Sequence, residues 1–508
     1  MREVLRKYYY LIVLCAITFV VAIYSPLNPL TVKGITTDQA VFFTIAKGLL
    51  NGKLAYVDFF DHKGVLLYMI LAAGLWFSEN LIGNFVIELA VIFLSAFFMY
   101  QIARMFANEW ISLLAVFTVF ASDITLFTSS NSEEYMFPIL CVSVYLFLLQ
   151  IRDGIKKYQV FLIGAGGMLV FFIKYNYCLI WAALGIFLFL HMVLKRSRWH
   201  EIIKMCLAFG GGMLAATVPF LLYLFASGSF EAFMDTYVLY SLHYAEFTGV
   251  PERVNCIRFL LNTPISIFFY AAVFVCVLLI IYFGVKKKNS LLGVERRQTE
   301  MSVWFLLLSA AILVVTSSPG QSWYYYKQAT MIIYVVPLAL IVSMAYRWMC
   351  GQLSDRKWIH KKQQAFVCGS ILTLLVLFSI RSRLTPERYI IVPDARFAGA
   401  LTICELIEEY CDEDDTMISF ANDCTMYFYS DCEAASRIFF PSATIVEDEL
   451  IDELMQDLEH NEPKIITFQC DWEAGLTERM KEEARAFTEA NYSLLYKDEY
   501  RSAYLRNE

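Results

Sequence analysis

Eleven apolar runs, each close to the length needed to cross a lipid bilayer, dominate this sequence and restrict the folds that it can adopt. A helix needs about 20 apolar residues to span the hydrocarbon core of a membrane. A chain with this many runs is predicted to be a polytopic α-helical membrane protein. The candidate spans cover residues 8–25, 84–103, 109–127, 135–151, 159–173, 177–194, 205–226, 262–285, 302–317, 328–345 and 365–380.

The composition excludes several other classes of protein. Of the 508 residues, 58% are hydrophobic and only 18% are charged, whereas a typical globular protein has about 25% charged residues. There is no excess of basic residues, with 41 Lys and Arg against 48 Asp and Glu. A soluble multidomain enzyme, a disordered chain and a nucleic-acid-binding protein are therefore excluded.

The distribution of charge indicates two domains and an orientation. Residues 381–508 contain 29 Asp and Glu but only 12 Lys and Arg, so we expect a membrane domain over residues 1–380 and an acidic tail over residues 381–508. A cytoplasmic N-terminus places 21 Lys and Arg in inner loops and 8 in outer loops, as the positive-inside rule requires. With eleven spans the tail is then extracytoplasmic, and the apolar run Val65 to Phe77 is interpreted as a re-entrant or interfacial helix.

The first external loop, residues 26–83, carries an unusual density of polar groups. Apolar residues recur at helical spacing from Val41 to Leu50, which predicts an amphipathic interfacial helix with Asp38 at its N-cap and Asn51-Gly52 at its end. The segment that follows brings Asp58, Asp61, His62 and Lys63 close to another apolar run. Charge so near hydrocarbon is costly unless it is paired or used, so a site is predicted, with a cap-only role for Asp38 or a structural ion-pair network as the alternatives.

Two further outer loops contain candidate site residues. Glu133 and Glu134 follow the third span, and an aromatic segment that includes Tyr325 and Lys327 follows the ninth. Trp and Tyr at span boundaries are commonly interfacial anchors. Outer cations such as Lys174, Arg253 and Arg258 are individually more typical of side chains that extend to the membrane surface than of ligands.

The acidic tail is predicted to be a small α/β domain. Helical patterns over residues 397–410, 447–460 and 473–489 alternate with short strands at 417–421, 464–468 and 492–496. This alternation favours a mostly parallel sheet. Five of the thirteen cysteines lie here, at spacings that predict neither a metal site nor a disulfide framework.

The string from Asp38 through Ala46-Lys47, Asn51-Gly52 and Tyr56-Val57-Asp58 to Asp61-His62-Lys63-Gly64 resembles the first external loop of the GT-C superfamily of integral-membrane glycosyltransferases. It is most similar to the branch that contains protein O-mannosyltransferases, the aminoarabinose transferase acting on lipid A, and bacterial core galacturonosyltransferases. The resemblance implies a GT-C-like fold and an inverting glycosyltransferase that uses a polyprenyl-phosphate sugar. It implies that Asp38 is the catalytic base, that Lys63 contacts the donor phosphate, and that Glu133 or Glu134 is a second acid.

The expected reaction assigns further roles. Departure of the lipid phosphate leaves negative charge that Lys63 would stabilise, and Lys327 or Arg258 would also contact this charge. The expected supporting residues are Asp58, Asp61, His62 and Tyr325. The resemblance implies no required metal, although a divalent cation on the carboxylates of the first loop is possible. The expected partners are the lipid-linked donor, an extracytoplasmic glycan, lipid or protein acceptor, and membrane lipids. A transporter or flippase of lipid-linked saccharides is the alternative, disfavoured because the sequence has no detectable repeat and its polar groups lie at one face.

Overall fold

The chain folds into two compact units. The computed structural model describes residues 2–507 apart from 30–33, 36–37, 79, 246–249, 286–289, 292–293, 355–394, 422–423, 442–446 and 470–475. The helical unit comprises Met1–Ser25, Glu88–Phe220 and Thr248–Tyr389. The loop–tail unit comprises Pro26–Ile87, Leu221–Phe247 and Ile390–Glu508, so the first loop (residues 26–83) and the described part of the tail belong to one body.

Helices account for most of the first 354 residues. In the described residues, seven helices are long and apolar enough to cross a membrane. They reach the bilayer length because stretches rich in Leu, Ile, Val and Phe continue with at most two charged residues in 18. The helices up to residue 354 are α1 (Arg2–Ala22), α2 (Asp38–Leu50), α3 (Val65–Phe77), α4 (Ile82–Arg104), α5 (Glu109–Ser122), α6 (Ser132–Asp153), α7 (Lys157–Phe171), α8 (Cys178–Leu194), α9 (Trp199–Ala226), α10 (Phe230–Phe233), α11 (Tyr240–Ala245), α12 (Val250–Leu260), α13 (Ser266–Val285), α14 (Arg296–Thr316), α15 (Tyr326–Thr330) and α16 (Val335–Ser354).

Short elements join these helices. Within the described ranges, 3₁₀ turns cover Ile124–Phe127, Tyr175–Tyr177 and Met331–Tyr334, and a π-helical turn covers Met234–Leu239. Strands β1 (Ser290–Leu291) and β2 (Val294–Glu295) form a small hairpin.

Burial differs sharply among the long helices. In the apolar 18-residue stretch of α6, 78% of the residues are buried within the protein, whereas in the corresponding stretch of α9 only 11% are buried. Large apolar side chains such as Leu207, Leu214 and Leu222 are exposed along α9. A helix that is apolar on all sides yet exposed is suited to contact with lipid. The chain is therefore a multi-pass membrane protein in which α6 is central and α9 is peripheral.

The predicted number of spans is not confirmed. Ten of the eleven predicted runs coincide with helices, but Tyr8–Ala22, Glu109–Ser122 and Lys157–Phe171 are shorter than the seven long ones. The eleventh, residues 365–380, lies outside the described residues, as does the predicted domain boundary near residue 380. Helix α3 has 13 residues and is about 20 Å long, less than the ~30 Å hydrocarbon core, but α5 and α7 are nearly as short, so its re-entrant or interfacial placement stays a prediction.

The tail forms a mixed sheet with helices packed on it. Helices α17 (Ala395–Tyr410), α18 (Thr425–Tyr429), α19 (Asp448–Asn461) and α20 (Glu478–Asn491) alternate with strands β3 (Thr416–Phe420), β4 (Glu433–Ala434), β5 (Ile465–Gln469), β6 (Tyr492–Lys497) and β7 (Arg501–Arg506). The strand order is β4-β3-β5-β7-β6. Pairs β3–β4 and β3–β5 are parallel, while β5–β7 and β6–β7 are antiparallel.

The prediction of a mostly parallel sheet is therefore wrong. The predicted strands at 417–421, 464–468 and 492–496 are present, but the chain then reverses and Arg501–Arg506 returns as a further strand. Its alternation of polar and small residues gave no apolar run. Ala503 is fully buried and Arg501 is 2% exposed, because β7 lies inside the sheet between β5 and β6.

Candidate active site

A buried carboxylate lies at the centre of the first loop. Asp61 is 3% exposed. Its Oδ2 accepts a hydrogen bond from the Tyr68 hydroxyl at 2.6 Å, and its Oδ1 accepts one from the His62 backbone N–H at 2.8 Å. Burial raises the pKa of Asp61 above its ordinary value, and the nearby Asp38 charge adds to this, while Lys63 and the two hydrogen bonds act in the opposite direction.

Lys63 is a buried cation with an unusual set of neighbours. It is 8% exposed, and its ammonium donates to His62 Nε2 at 2.8 Å. The ammonium also lies 5.8 Å from the centre of the Phe42 ring. Within the described part of the chain it forms no ion pair with a carboxylate. A buried charge in such a setting is stabilised by binding an anion.

Asp38 is the carboxylate of this loop that remains available to a ligand. It is half-buried and is the first residue of α2, one position inside the predicted N-cap. There it faces the positive end of the helix dipole. Among the described residues its carboxylate accepts no hydrogen bond.

The helix that carries Asp38 is more buried than predicted. The prediction of a helix ending at Asn51-Gly52 is confirmed, and Gly52 has a left-handed φ of 85° that ends it. The expectation of one polar and one apolar face is wrong, because residues from Ala40 to Ala46 are all buried. The cause is packing of α2 against α3 and α18.

Tyr56 fixes the turn of the loop that leads to Lys63. Its φ of 70° is uncommon for a residue other than glycine. Its hydroxyl donates to the Lys63 carbonyl at 2.8 Å, and its ring packs against Phe233 and Tyr237. Strained backbone of this kind persists where surrounding contacts determine it, and it is frequent at functional sites.

The tail holds the first loop in place. The Phe60 N–H donates to the Arg437 carbonyl at 2.8 Å, Lys53 pairs with Glu433 at 2.8 Å, and the Lys47 ammonium donates to the Phe428 carbonyl at 2.9 Å. Asp58 is different: it is exposed and accepts from the Leu54 backbone N–H at 2.6 Å. Asp58 therefore shapes the loop locally and does not join Asp61.

A second polar cluster lies in the helical unit. The Lys174 ammonium donates to Glu133 Oε1 at 2.6 Å, and the Tyr177 hydroxyl donates to the same oxygen at 3.2 Å. Glu133 is fully buried and Lys174 is 7% exposed. Lys174 also lies over the rings of Tyr325 and Tyr326, 5.4 and 4.5 Å from their centres. The interpretation of Lys174 as a side chain extending to the membrane surface is therefore wrong.

The other predicted residues of this unit are placed separately. Glu134 Oε2 accepts from the backbone N–H groups of Ser129 and Ser130 at 2.8 and 2.7 Å, so it caps the loop. Lys327 is buried and donates to the Asn262 carbonyl at 3.2 Å. Arg258 is exposed on α12 and donates to Asn255 of the same helix at 3.5 Å. The two candidate cations therefore have different surroundings.

Sequence reasoning missed two groups that the structure places in these clusters, Tyr68 and Tyr177, and it assigned Lys174 to the membrane surface. Tyr68 lies inside an apolar run, where tyrosine gives no polar signal, and Tyr177 and Lys174 are separated from Glu133 by about 40 residues. Within the described residues no group of three acidic, His or Cys side chains is arranged to hold a metal ion.

Comparison with known proteins supports the fold. No protein-family model matches the sequence, and no curated protein is significantly similar to it. The solved structures of ArnT from Cupriavidus metallidurans, one bound to undecaprenyl phosphate and one in the apo state, match with TM-scores of 0.62 and 0.60. The sequence identities are 13% and 14%, and each match covers 98% of both chains.

The chain has the ArnT fold. The predicted fold class, a polytopic α-helical membrane protein with a C-terminal α/β domain, is therefore confirmed, since the match extends over nearly the whole of both chains. At this level of identity the likeness concerns the fold, and the roles of individual residues stay predictions.

Proposed function

We propose that this protein transfers a sugar from a polyprenyl-phosphate donor to an extracytoplasmic glycan, lipid or protein acceptor. The observation that carries the proposal is Lys63: a buried ammonium, without a carboxylate ion pair among the described residues, in a loop that also holds Asp38 and Asp61. A phosphate monoanion or dianion is an anion that such a site stabilises. The ArnT fold adds support, since one ArnT structure is bound to undecaprenyl phosphate.

Lys63 has the properties needed to assist the leaving group. As the bond between the sugar C1 and the phosphate oxygen breaks, its electron pair passes to the phosphate. A fixed cation beside that oxygen stabilises the transition state more than the ground state. At ~4 Å and an effective dielectric of about 20 the interaction is worth roughly 4 kcal/mol before desolvation. His62 orients the ammonium through its Nε2 contact.

Asp38 is the proposed base. The acceptor hydroxyl oxygen attacks C1 from the side opposite the phosphate, so the configuration inverts, and Asp38 takes the hydroxyl proton. Asp61 cannot do this as readily, because both of its oxygens already accept hydrogen bonds. Its charge instead acts on Asp38 and Lys63 from within the protein.

The residues of the second cluster are bonded to one another. Lys174 and Tyr177 both donate hydrogen bonds to Glu133, so these residues are proposed to support the packing of α6 and α8 and to position the Tyr325 ring. Lys327 and Arg258 stay candidates for an additional donor contact. The positive-inside rule places the N-terminus in the cytoplasm and the tail outside it. On that outer side, lipid-linked sugars are the donors in place of nucleotide sugars.

Asp38→Asn provides the test of the proposed base. Asn is compatible with the first turn of a helix, so the fold should persist, while loss of the base should lower transfer by about 10²- to 10⁴-fold. The measurement is single-turnover transfer from a synthetic polyprenyl-phosphate sugar to a membrane extract of the cell that makes the protein. Asp58→Asn, which changes an exposed carboxylate of the same loop, is the matched control and should retain activity. Full activity in Asp38→Asn would refute the assignment.

A further inference from the structure

The loop–tail unit contains an open cavity that none of the roles above uses. Its volume is about 520 Å³, which is enough for two or three sugar rings on the scale of small-molecule sites. Its walls include Phe60, Glu231, Asp235, Thr236, Tyr240 and Arg437. The cavity therefore combines the first loop, the segment around residues 228–240 and the tail.

Aromatic rings form one side of the cavity. Phe60 and Tyr240 pack edge to face with ring centres 5.0 Å apart, and the Arg437 guanidinium lies 5.5 Å from the centre of the Phe60 ring. Phe60 and Tyr240 are each only 6% exposed, so the ring edges that reach the cavity give a pyranose ring a small apolar contact, while polar groups around it fix the orientation.

Carboxylates also line the cavity. Glu231 and Asp235 are exposed to the cavity, and Glu447 also lines it. Arg437, the cation among the lining residues, donates from Nη2 to Glu453 at 2.8 Å and also pairs through Nε. Its charge is thus already balanced. The cavity is net negative, so it accepts hydroxyl and ammonium donors and repels phosphates and uronates.

The backbone of this wall is irregular at the position of the carboxylate. Residues Met234–Leu239 form a π-helical turn between two short α-helices. The turn carries Asp235 and Thr236 into the lining. Such π-turns are rare and occur frequently at functional sites, where they redirect side chains.

The cavity is directly connected to the candidate catalytic loop. Phe60 precedes Asp61 and is bonded through its N–H to the Arg437 carbonyl, while Arg437 Nη1 donates to the Tyr56 carbonyl at 3.4 Å. A saccharide held here would lie beside the loop that carries the proposed donor-phosphate lysine.

We propose that this cavity binds a non-anionic saccharide, neutral or bearing an amino group, as the recognised part of the acceptor. This inference rests on the proposed glycosyl transfer for its biological role, but the binding itself does not require transfer. The acceptor class is thereby narrowed: the group held at this position is rich in hydroxyl or ammonium donors and carries no phosphate or carboxylate.

The test is direct binding to the purified full-length protein. The probes are the trisaccharides of N-acetylglucosamine, glucosamine and galacturonate, measured by microscale thermophoresis. We expect the first two to bind at least about tenfold more tightly than the galacturonate trisaccharide. The double variant Glu231→Gln, Asp235→Asn should weaken them about tenfold or more, equivalent to ~1.4 kcal/mol. Glu482→Gln, an exposed carboxylate of α20 outside the cavity, is the control and should bind as wild type does.

A charge reversal gives a second, opposite readout. Asp235→Lys should increase the affinity for the galacturonate trisaccharide and decrease the affinity for the glucosamine trisaccharide. The inference is overturned if the galacturonate trisaccharide binds wild type as tightly as the others, if none of the three binds at ~10 mM, or if binding is unaffected by the cavity variants.

Donor transfer is measured on the same preparations. Carboxylate-dependent saccharide binding without any transfer from polyprenyl-phosphate sugars would refute the proposed function and leave the cavity as a saccharide site. If transfer proceeds but saccharide binding is unchanged by substitution of the cavity carboxylates, this inference is refuted and the proposed function is not.

Discussion

Two buried lysines, one in each unit, have opposite surroundings. Lys174 donates to the fully buried Glu133 at 2.6 Å and lies over two tyrosine rings. Lys63 is equally buried, but its ammonium contacts an imidazole nitrogen and forms no ion pair within the described residues. An ammonium that already has its counter-ion contributes to the fold, whereas one without it is suited to an incoming anion. Burial alone therefore does not identify a functional cation; among the described residues, the absence of an ion pair with a carboxylate is what distinguishes Lys63 from Lys174.

The largest expected effect is on stability, at the paired lysine. Lys174→Met leaves Glu133 buried without its counter-ion, which typically costs about 3–5 kcal/mol. We expect a clear fall in melting temperature, measured in detergent by thermal unfolding. The double variant Lys174→Met, Glu133→Gln removes both charges and should recover much of the loss. If Lys174→Met melts with wild type, the pair is not structural and the contrast between the two lysines fails.

The unpaired lysine should show the reverse pattern. Lys63→Met keeps the apolar part of the side chain and deletes the charge, so transfer should fall on the order of a hundred- to a thousandfold while the melting temperature stays near that of wild type. Lys63→Arg should recover part of the rate, because the charge returns with different geometry. Single-turnover transfer and thermal unfolding on one preparation provide both numbers. A variant that loses stability but keeps its turnover would make Lys63 a structural group like Lys174.

A smaller effect is expected from pH, through Asp61. Burial raises the pKa of Asp61 in the folded protein above 3.8, its value in the unfolded chain. Between pH 3.8 and the raised pKa, the folded protein therefore binds more protons than the unfolded chain. Stability therefore decreases as pH rises through this window, by about 1.4 kcal/mol for each pH unit that the window covers. Asp61→Asn should flatten the dependence of melting temperature on pH. Parallel profiles for wild type and Asp61→Asn would show that Asp61 is not held in this way.

The first loop was predictable because its information is local. Asp38 begins a helix whose apolar spacing and terminal Asn51-Gly52 are visible in the sequence, and Asp61, His62 and Lys63 are adjacent in the chain. What the sequence could not reveal is which carboxylate is free. That depends on Tyr68, whose hydroxyl reaches Asp61 from an apolar helix.

The helical unit was predictable in outline but not in its contacts. Apolar length located ten of the helices, since a span needs only hydrophobicity and extent. The pairing of Glu133 with Lys174 and Tyr177 depends on how α6 packs beside the turn before α8, and no local pattern encodes it. The hairpin that ends the tail was missed for a related reason: Arg501–Arg506 becomes a buried strand through pairing with β5 and β6.

The bond between the Phe60 N–H and the Arg437 carbonyl has a consequence for biosynthesis. Its two ends are 377 residues apart, and chains are made at roughly 5–20 residues per second, so the first loop waits about 20–75 s for its partner to be synthesised. The ties from Lys53 to Glu433 and from Lys47 to Phe428 have the same delay. The loop that carries Lys63 therefore reaches its final form only after nearly the whole chain has been inserted, and a ribosome that stops before the tail releases a membrane protein whose candidate active site is unassembled.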